Sequence, residues 1–277
     1  MSAKPETTST SSSLPTVREV HVERVQHGTV EHVTDVVAEE RPIGLLYQGV
    51  PHVVMLASPA DLEDLGVGFT LSEGIVARAS DIHSVDVVQK DDGLTVNLGI
   101  SSQSFTSLLR QRRNLAGRTG CGLCGVENVG DAIRSPARVR DDVRVAADEL
   151  HAQLLNLQSR QLVNAETGSV HAAAWALPGK GIQLVREDVG RHNALDKVIG
   201  ALARADRDAS DGYFIITSRA SFEMVQKSAM VGVSCVVAVS APTALAIDVA
   251  KRTGVTLVGF ARAHRHVIYS HPERIQG

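Results

Sequence analysis

Two cysteines two residues apart, Cys121 and Cys124, stand in the run Gly117-Arg118-Thr119-Gly120-Cys121-Gly122-Leu123-Cys124-Gly125. A Cys-x-x-Cys pair serves as half of a zinc site, as a redox dithiol, or as a reactive thiolate with a helper thiol. The glycines remove side chains that would bury the sulfurs and disfavour rigid helix, so the run reads as an exposed loop. A thioredoxin-type pair would follow an apolar strand at a helix start. Here Arg110, Arg112, Arg113 and Arg118 lie nearby instead. Positive charge favours the thiolate, which is the nucleophile. A structural zinc site wants about four ligands. The third cysteine, Cys235, sits in an apolar β-branched run and reads as an inert core thiol, and no second Cys-x-x-Cys or spaced His pair accompanies the loop. No structural metal is expected.

Two further segments carry chemistry. In Arg186-Glu187-Asp188-Val189-Gly190-Arg191-His192-Asn193, polar groups crowd one predicted helix start. Asp188 could cap that helix, and His192 could shuttle a proton near neutral pH, although a histidine at a helix start is also a common structural feature. Farther on, three predicted strand ends carry Thr217-Ser218-Arg219, Ser240-Ala241-Pro242-Thr243, and Phe260-Ala261-Arg262-Ala263-His264-Arg265. Hydroxyls at helix starts and three arginines suit an anion, with phosphate the obvious one; ordinary solvated surface charges have the same composition.

The elements that must position these groups follow from the hydrophobic pattern. Residues 43–47 and 52–56 suggest paired strands, and Ser58-Pro59-Ala60-Asp61 opens a helix with Leu62, Leu65 and Phe69 on one face. Residues 84–88 and 94–98 flank Asp91-Asp92-Gly93, a hairpin signal. A basic amphipathic helix from about Phe105 to Asn114 leads into the cysteine loop. Leu150, Leu154 and Leu157 mark another helix, and residues 170–176 and 182–185 a second hairpin. From Tyr213 onward strand, helix, strand, helix, strand alternate, with helices capped by Ser221 and Thr243. Continuous apolar strands of this kind pair in parallel under helices and bind ligands beyond their carboxyl ends. The expected organisation is a disordered tail over 1–34, an α+β domain over 35–140 carrying the Cys-x-x-Cys loop, and an α/β nucleotide-binding domain over 141–277.

The 277 residues, 43% hydrophobic and 3% aromatic with net charge −3, suffice for one large or two modest cores. The near-neutral balance gives no reason to expect nucleic acid or a membrane surface. The Ser/Thr-rich start lacks an apolar signal core, and three cysteines in such a length suit a reducing cytoplasm.

Taken together, these segments resemble the formate dehydrogenase accessory sulfurtransferase family. The resemblance rests on residues 117–125, His171-Ala172-Ala173-Ala174, Glu187-Asp188-Val189-Gly190-Arg191-His192 with Ala194-Leu195-Asp196-Lys197, and Ser218-Arg219-Ala220-Ser221 through Glu223-Met224-Val225-Gln226-Lys227. It covers roughly residues 38 to 275. It implies a sulfur carrier that takes a persulfide from a cysteine desulfurase on Cys121. The sulfur would pass to the molybdenum (or tungsten) bis(guanine dinucleotide) cofactor before that cofactor enters formate dehydrogenase. It further implies cofactor binding over Phe260 to Arg265, a cytidine-deaminase-like fold for the C-terminal part, and a homodimer. Zinc deaminases need a His-x-Glu and a later Pro-Cys-x-x-Cys. Here His171 is followed by alanines and the cysteine pair comes earlier, so deamination is disfavoured. Two rivals remain: a dithiol oxidoreductase using Cys121 and Cys124, and a non-catalytic cofactor-binding chaperone. On the sulfur reading Cys124 is a helper of uncertain role, Ser218 and Arg219 join the cofactor site, and Glu187, Asp188 and His192 line the path between loop and cofactor. His192 would move a proton and Asp188 would orient it.

Overall fold

A computed structural model describes residues 14–90, 93–115 and 136–277. The chain is mixed α/β. Its N-terminal part is a four-stranded sheet in the order β4-β3-β6-β5, built from β3 (Arg41–Tyr47), β4 (Val50–Ala57), β5 (Ile82–Lys90) and β6 (Gly93–Ile100). Ile43, Leu45 and Tyr47 alternate inward with Leu94, Val96 and Leu98, and α1 (Leu62–Ser72) and α2 (Ser102–Leu115) add Leu62, Leu65 and Leu108 to the same core. Both expected hairpins are present as strand pairs, β3 with β4 and β5 with β6.

The expected tail over 1–34 is corrected for its second half. Val17–Gln26 (β1) and Thr29–Ala38 (β2) pair antiparallel, Val22 facing Val33 and Val25 facing Val30. The turn explains the pairing: His27 and Gly28 both take positive φ, 51° and 83°, the backbone of a two-residue hairpin turn whose twist matches its strands. Composition hid it, because most side chains on this ribbon are polar and exposed. A second correction concerns Ser58. The cap position before α1 belongs to Asp61, at φ 52°, and no side chain caps it. Ser58 instead faces the C-terminal part, its N–H donating to Asp188 (3.1 Å) and its Oγ accepting from the Val189 N–H (3.1 Å).

The C-terminal part is a six-stranded sheet in the order β13-β12-β11-β10-β8-β9. Its strands are β8 (His171–Leu177), β9 (Gly181–Asp188), β10 (Tyr213–Ile216), β11 (Cys235–Ala238), β12 (Thr256–Arg262) and β13 (Arg265–Ser270). The central β10, β11 and β12 run parallel, as the alternation of apolar strands and helices predicts, and β13 and β8 flank them antiparallel. Side chains alternate between two cores. Trp175, Phe214, Ile216, Val236 and Leu257 meet the helices α5 (Arg191–Arg204), α6 (Phe222–Met230) and α7 (Ala244–Thr253). On the other face Ala174, Tyr213, Ile215 and Val237 meet α3 (Ala147–Ser159). Short α4 (Leu162–Thr167) follows α3, and two-residue β7 (Val145–Ala146) pairs with β14 (Ile275–Gln276). Thr243 caps α7 by accepting from the Ala246 N–H, as expected, whereas Ser221 precedes α6 without a side-chain cap bond.

The two parts are fused where α1 crosses α5. A Cβ added at Gly68 would lie 1.7 Å from the Asp196 carbonyl oxygen, and one at Gly200 would lie 1.9 Å from that of Asp64. Backbone meets backbone, which only glycine permits. Charged groups tie the same seam together. Asp64 accepts from Arg186 (2.8 Å) and Arg204 (2.6 Å), and Lys227 donates to Asp196 (3.0 Å) and Ser72 (2.9 Å). Among the described residues no helix is long and apolar enough to cross a membrane.

Candidate functional site

The sheet topology fixes where a ligand can sit. Thr217 directly follows β10, Val239 directly follows β11, and Arg262 ends β12; His171 begins β8, which runs the opposite way, and so lies at the same edge. A cavity of about 740 Å³ opens across these tips. Apolar residues of α3, among them Leu154 and Leu157, cover one side, Gln161 and Asn164 of the α3–α4 region another, and Ala261 to Arg265 of the β12–β13 turn a third.

Of the expected cofactor residues, Ala261, Arg262, Ala263, His264 and Arg265 line this cavity. Arg262 is held by its own turn, donating to the Ala261 carbonyl (2.9 Å) and to that of Val239. The side chains of His264 and Arg265 are exposed and form no hydrogen bond or ion pair among the described residues, so both stay available to an anion. Phe260, Ser218 and Arg219 lie outside the lining. Phe260 is 45% exposed at φ 50°, which turns its ring away from the strand pattern, and Ser218 spends its hydroxyl on the Arg219 carbonyl (3.1 Å). Thr217, their neighbour, is the residue of that strand end which reaches the cavity.

The expectation that Asp188 orients His192 is corrected. Asp188 is fully buried, 2.6 Å from the equally buried Lys197 ammonium, and accepts from Ser58 N–H, Gly190 N–H (2.8 Å) and the Asn193 amide (2.9 Å). Its oxygens are spent on holding the start of α5 against the N-terminal part. The group beside His192 is Glu223 of α6, Nε2 to Oε2 2.9 Å. The imidazole holds the Glu223 carboxyl below its usual range.

His171 enters the site through the structure. It stands in the cavity wall opposite the buried Asp188 in the β8–β9 register. Burial lowers its pKa, and the neighbouring Arg191 and His192 add to the shift, so at neutral pH it is an uncharged donor-acceptor. Glu187, expected along the path to the cofactor, has a different task. Its two oxygens accept from the N–H groups of Val163 and Asn164 (2.9 Å each) and fasten the first turn of α4. Gln161 and Asn164 carry no sequence signal of function, since an amide pair three residues apart is common anywhere.

Cys121 and Cys124 lie outside the described residues, as do Arg118 and Val126. The chain enters that stretch from α2, in the N-terminal part, and is described again from Pro136. There the Val139 N–H donates to the Thr253 carbonyl (2.9 Å), just ahead of β12, at the end opposite Arg262. Cys235 is buried in the core, its thiol pushed up to about 12 by burial, so it is not a sulfur nucleophile.

Residues 38–276 match the family described as the FdhD/NarQ family. The sulfur carrier protein FdhD of Cupriavidus necator is 50% identical over 262 residues, covering 95% of this chain and 91% of that protein. The sulfur carrier protein FdhD of Bordetella petrii is 50% identical over 255 residues, covering 91% and 92%. A crystal structure described as a formate dehydrogenase accessory protein of Desulfotalea psychrophila superposes with a TM-score of 0.74. It covers 95% of this chain and 100% of its own at 23% identity, which speaks for the fold alone. With half of its residues shared over nearly its whole length, the chain belongs to the FdhD/NarQ family.

Proposed function

We propose that this chain is a sulfur carrier in formate dehydrogenase maturation. A Cys121 thiolate attacks the outer sulfur of a cysteine desulfurase persulfide. A new S–S bond forms on Cys121, the donor's S–S bond breaks, and the donor leaves as thiolate. The S–S bond of the Cys121 persulfide then breaks as its outer sulfur passes to a molybdenum or tungsten bis(guanine dinucleotide) cofactor, the substrate at the strand tips. The reduced metal of that substrate supplies the two electrons that take this sulfur to the sulfide level, and Cys121 is left as thiolate. Arg262, His264 and Arg265 hold the phosphates there, and neutral His171 offers a hydrogen bond beside them. The protein acts as a homodimer on this reading. The observation that carries it is the cavity itself: the cationic turn singled out for phosphate lines a space large enough for a nucleotide.

Intact-mass analysis after incubation with a cysteine desulfurase and cysteine tests the donor half. Wild type gains sulfur and Cys121→Ala gains none. Equal loading of that variant overturns the assignment. Cys124→Ala still loads one sulfur, since a single attacking thiolate suffices; complete loss there would favour a dithiol oxidoreductase.

A further inference from the structure

The cavity has two chemically different ends, and the strand order sets them apart. The turn bearing Arg262 and Arg265 joins β12 to β13, whereas α4 is fastened to β9 through Glu187. From β12 the sheet passes β11, β10 and β8 before reaching β9. At about 4.8 Å per strand the two ends stand roughly 19 Å apart. One end carries two guanidiniums and an imidazole. The other carries the amides of Gln161 and Asn164, and neither amide has a hydrogen-bond partner among the described residues. Gln161 is only 8% exposed and its amide atoms are not fully enclosed, so the access they keep lies where the residue lines the cavity, and a ligand there meets an amide with both atoms unspent. Between the ends lies the apolar wall of Leu154 and Leu157.

We propose that Gln161 and Asn164 read the base of the bound guanine nucleotide, while Arg262 and Arg265 hold its phosphates. This deepens the cofactor-binding reading above and rests on it. Two features fix the orientation. Glu187 brings a carboxylate to the α4 end, which repels phosphate there, and its two bonds occupy the free N–H groups of the first α4 turn. A purine edge, by contrast, offers donors and acceptors side by side, the pattern an amide can meet with both of its atoms. The apolar wall of α3 supplies a surface for the flat face of the base. Glu187 is then a positioning residue: it touches α4 and not the ligand, and it sets where the amides stand.

Calorimetry on the full chain separates the two ends, with GDP, ADP and inorganic pyrophosphate as probes. Wild type prefers GDP to ADP. Gln161→Leu and Asn164→Leu lower GDP affinity about tenfold and erase the preference, while pyrophosphate affinity stays at the wild-type value. Glu187→Gln keeps the shape but points an NH₂ at the α4 N–H groups; it weakens GDP and again spares pyrophosphate, a split that loss of fold would not produce. Arg262→Ala weakens GDP and pyrophosphate alike. Parallel loss of GDP and pyrophosphate in the amide variants, or unchanged GDP affinity and preference in them, overturns the assignment of the base to α4. Wild type that binds none of the three probes overturns the nucleotide reading of the cavity itself, and the assignment with it.

Discussion

The α1–α5 seam and the strand-tip cavity draw on the same residue types yet leave them in opposite states. In the seam every charge just described is matched: Asp188 with Lys197, Asp64 with Arg186 and Arg204, Lys227 with Asp196 and Glu73. Burial opposes the Lys227 ammonium, but Asp196 and Glu73 outweigh it and hold its pKa above the ordinary lysine value. In the cavity the amides of Gln161 and Asn164 and the side chains of His264 and Arg265 have no partner among the described residues. Polar groups with matched partners hold a fold together, and polar groups without them wait for a ligand. Substitutions should therefore split cleanly, the seam losing stability and the cavity losing affinity.

The largest effect belongs to the seam glycines. Gly68→Ala places a methyl inside the van der Waals radius of a backbone carbonyl on α5, which a rotamer change cannot relieve. We expect a loss above ~4 kcal/mol, or failure to accumulate as soluble protein, read from urea midpoints and expression yield. A midpoint near wild type would mean that the two parts are not fused through this crossing.

Next comes the buried pair of α5. Lys197→Met leaves the Asp188 carboxylate inside without its counter-charge and should cost about 3–5 kcal/mol. Combining it with Asp188→Leu should cost less than the two single changes summed, because the paired charges leave together. Additive losses would show that Asp188 acts mainly through Ser58, Gly190 and Asn193. Either result keeps Asp188 structural; the comparison breaks if Lys197→Met melts like wild type.

Arg262→Ala is the counterpart in the cavity. Its unfolding midpoint should move by less than ~0.5 kcal/mol, as for other surface positions, while GDP affinity falls about tenfold to a hundredfold. A stability loss comparable to that of Lys197→Met would erase the distinction between the two regions.

The sequence shows part of this distinction and conceals the rest. The parallel strands, the α7 cap at Thr243 and the cationic turn at Arg262–Arg265 follow from local pattern, because apolar runs, capping hydroxyls and clustered charge are short-range signals. Asp188 and Glu187 look like site residues for the same local reason, crowded beside His192. What assigns them elsewhere is long-range: Lys197 lies a few turns on, Ser58 is 130 residues away, and α4 is 23 residues back. The β1–β2 ribbon escaped because its valines alternate with charged residues on strands with little to bury. Gln161 and Asn164 become visible only once β9 brings Glu187 beneath α4.

The smallest expected effect lies where cavity and scaffold meet. His151 of α3 and His266 of β13 stand 2.9 Å apart, Nε2 to Nδ1, joining the wall over the cavity to the strand that leaves its cationic turn. One ring must donate and the other accept, so the contact needs at least one neutral imidazole. Burial, with help from His151, lowers the His266 pKa below the ordinary value of 6.5. A histidine whose folded pKa is depressed takes its proton more readily when unfolded. Its contribution is therefore present above about 6.5 and lost as pH falls below that value toward the folded pKa. His171, also lowered, acts in the same sense. Wild-type stability should thus fall between pH 7 and pH 5, and His266→Asn should fall less steeply while keeping near-normal stability at pH 7. Urea titrations at the two pH values decide the matter. Parallel losses in wild type and variant would show that the imidazole pair does not carry the acid sensitivity, and would leave it to His171 in the cavity wall.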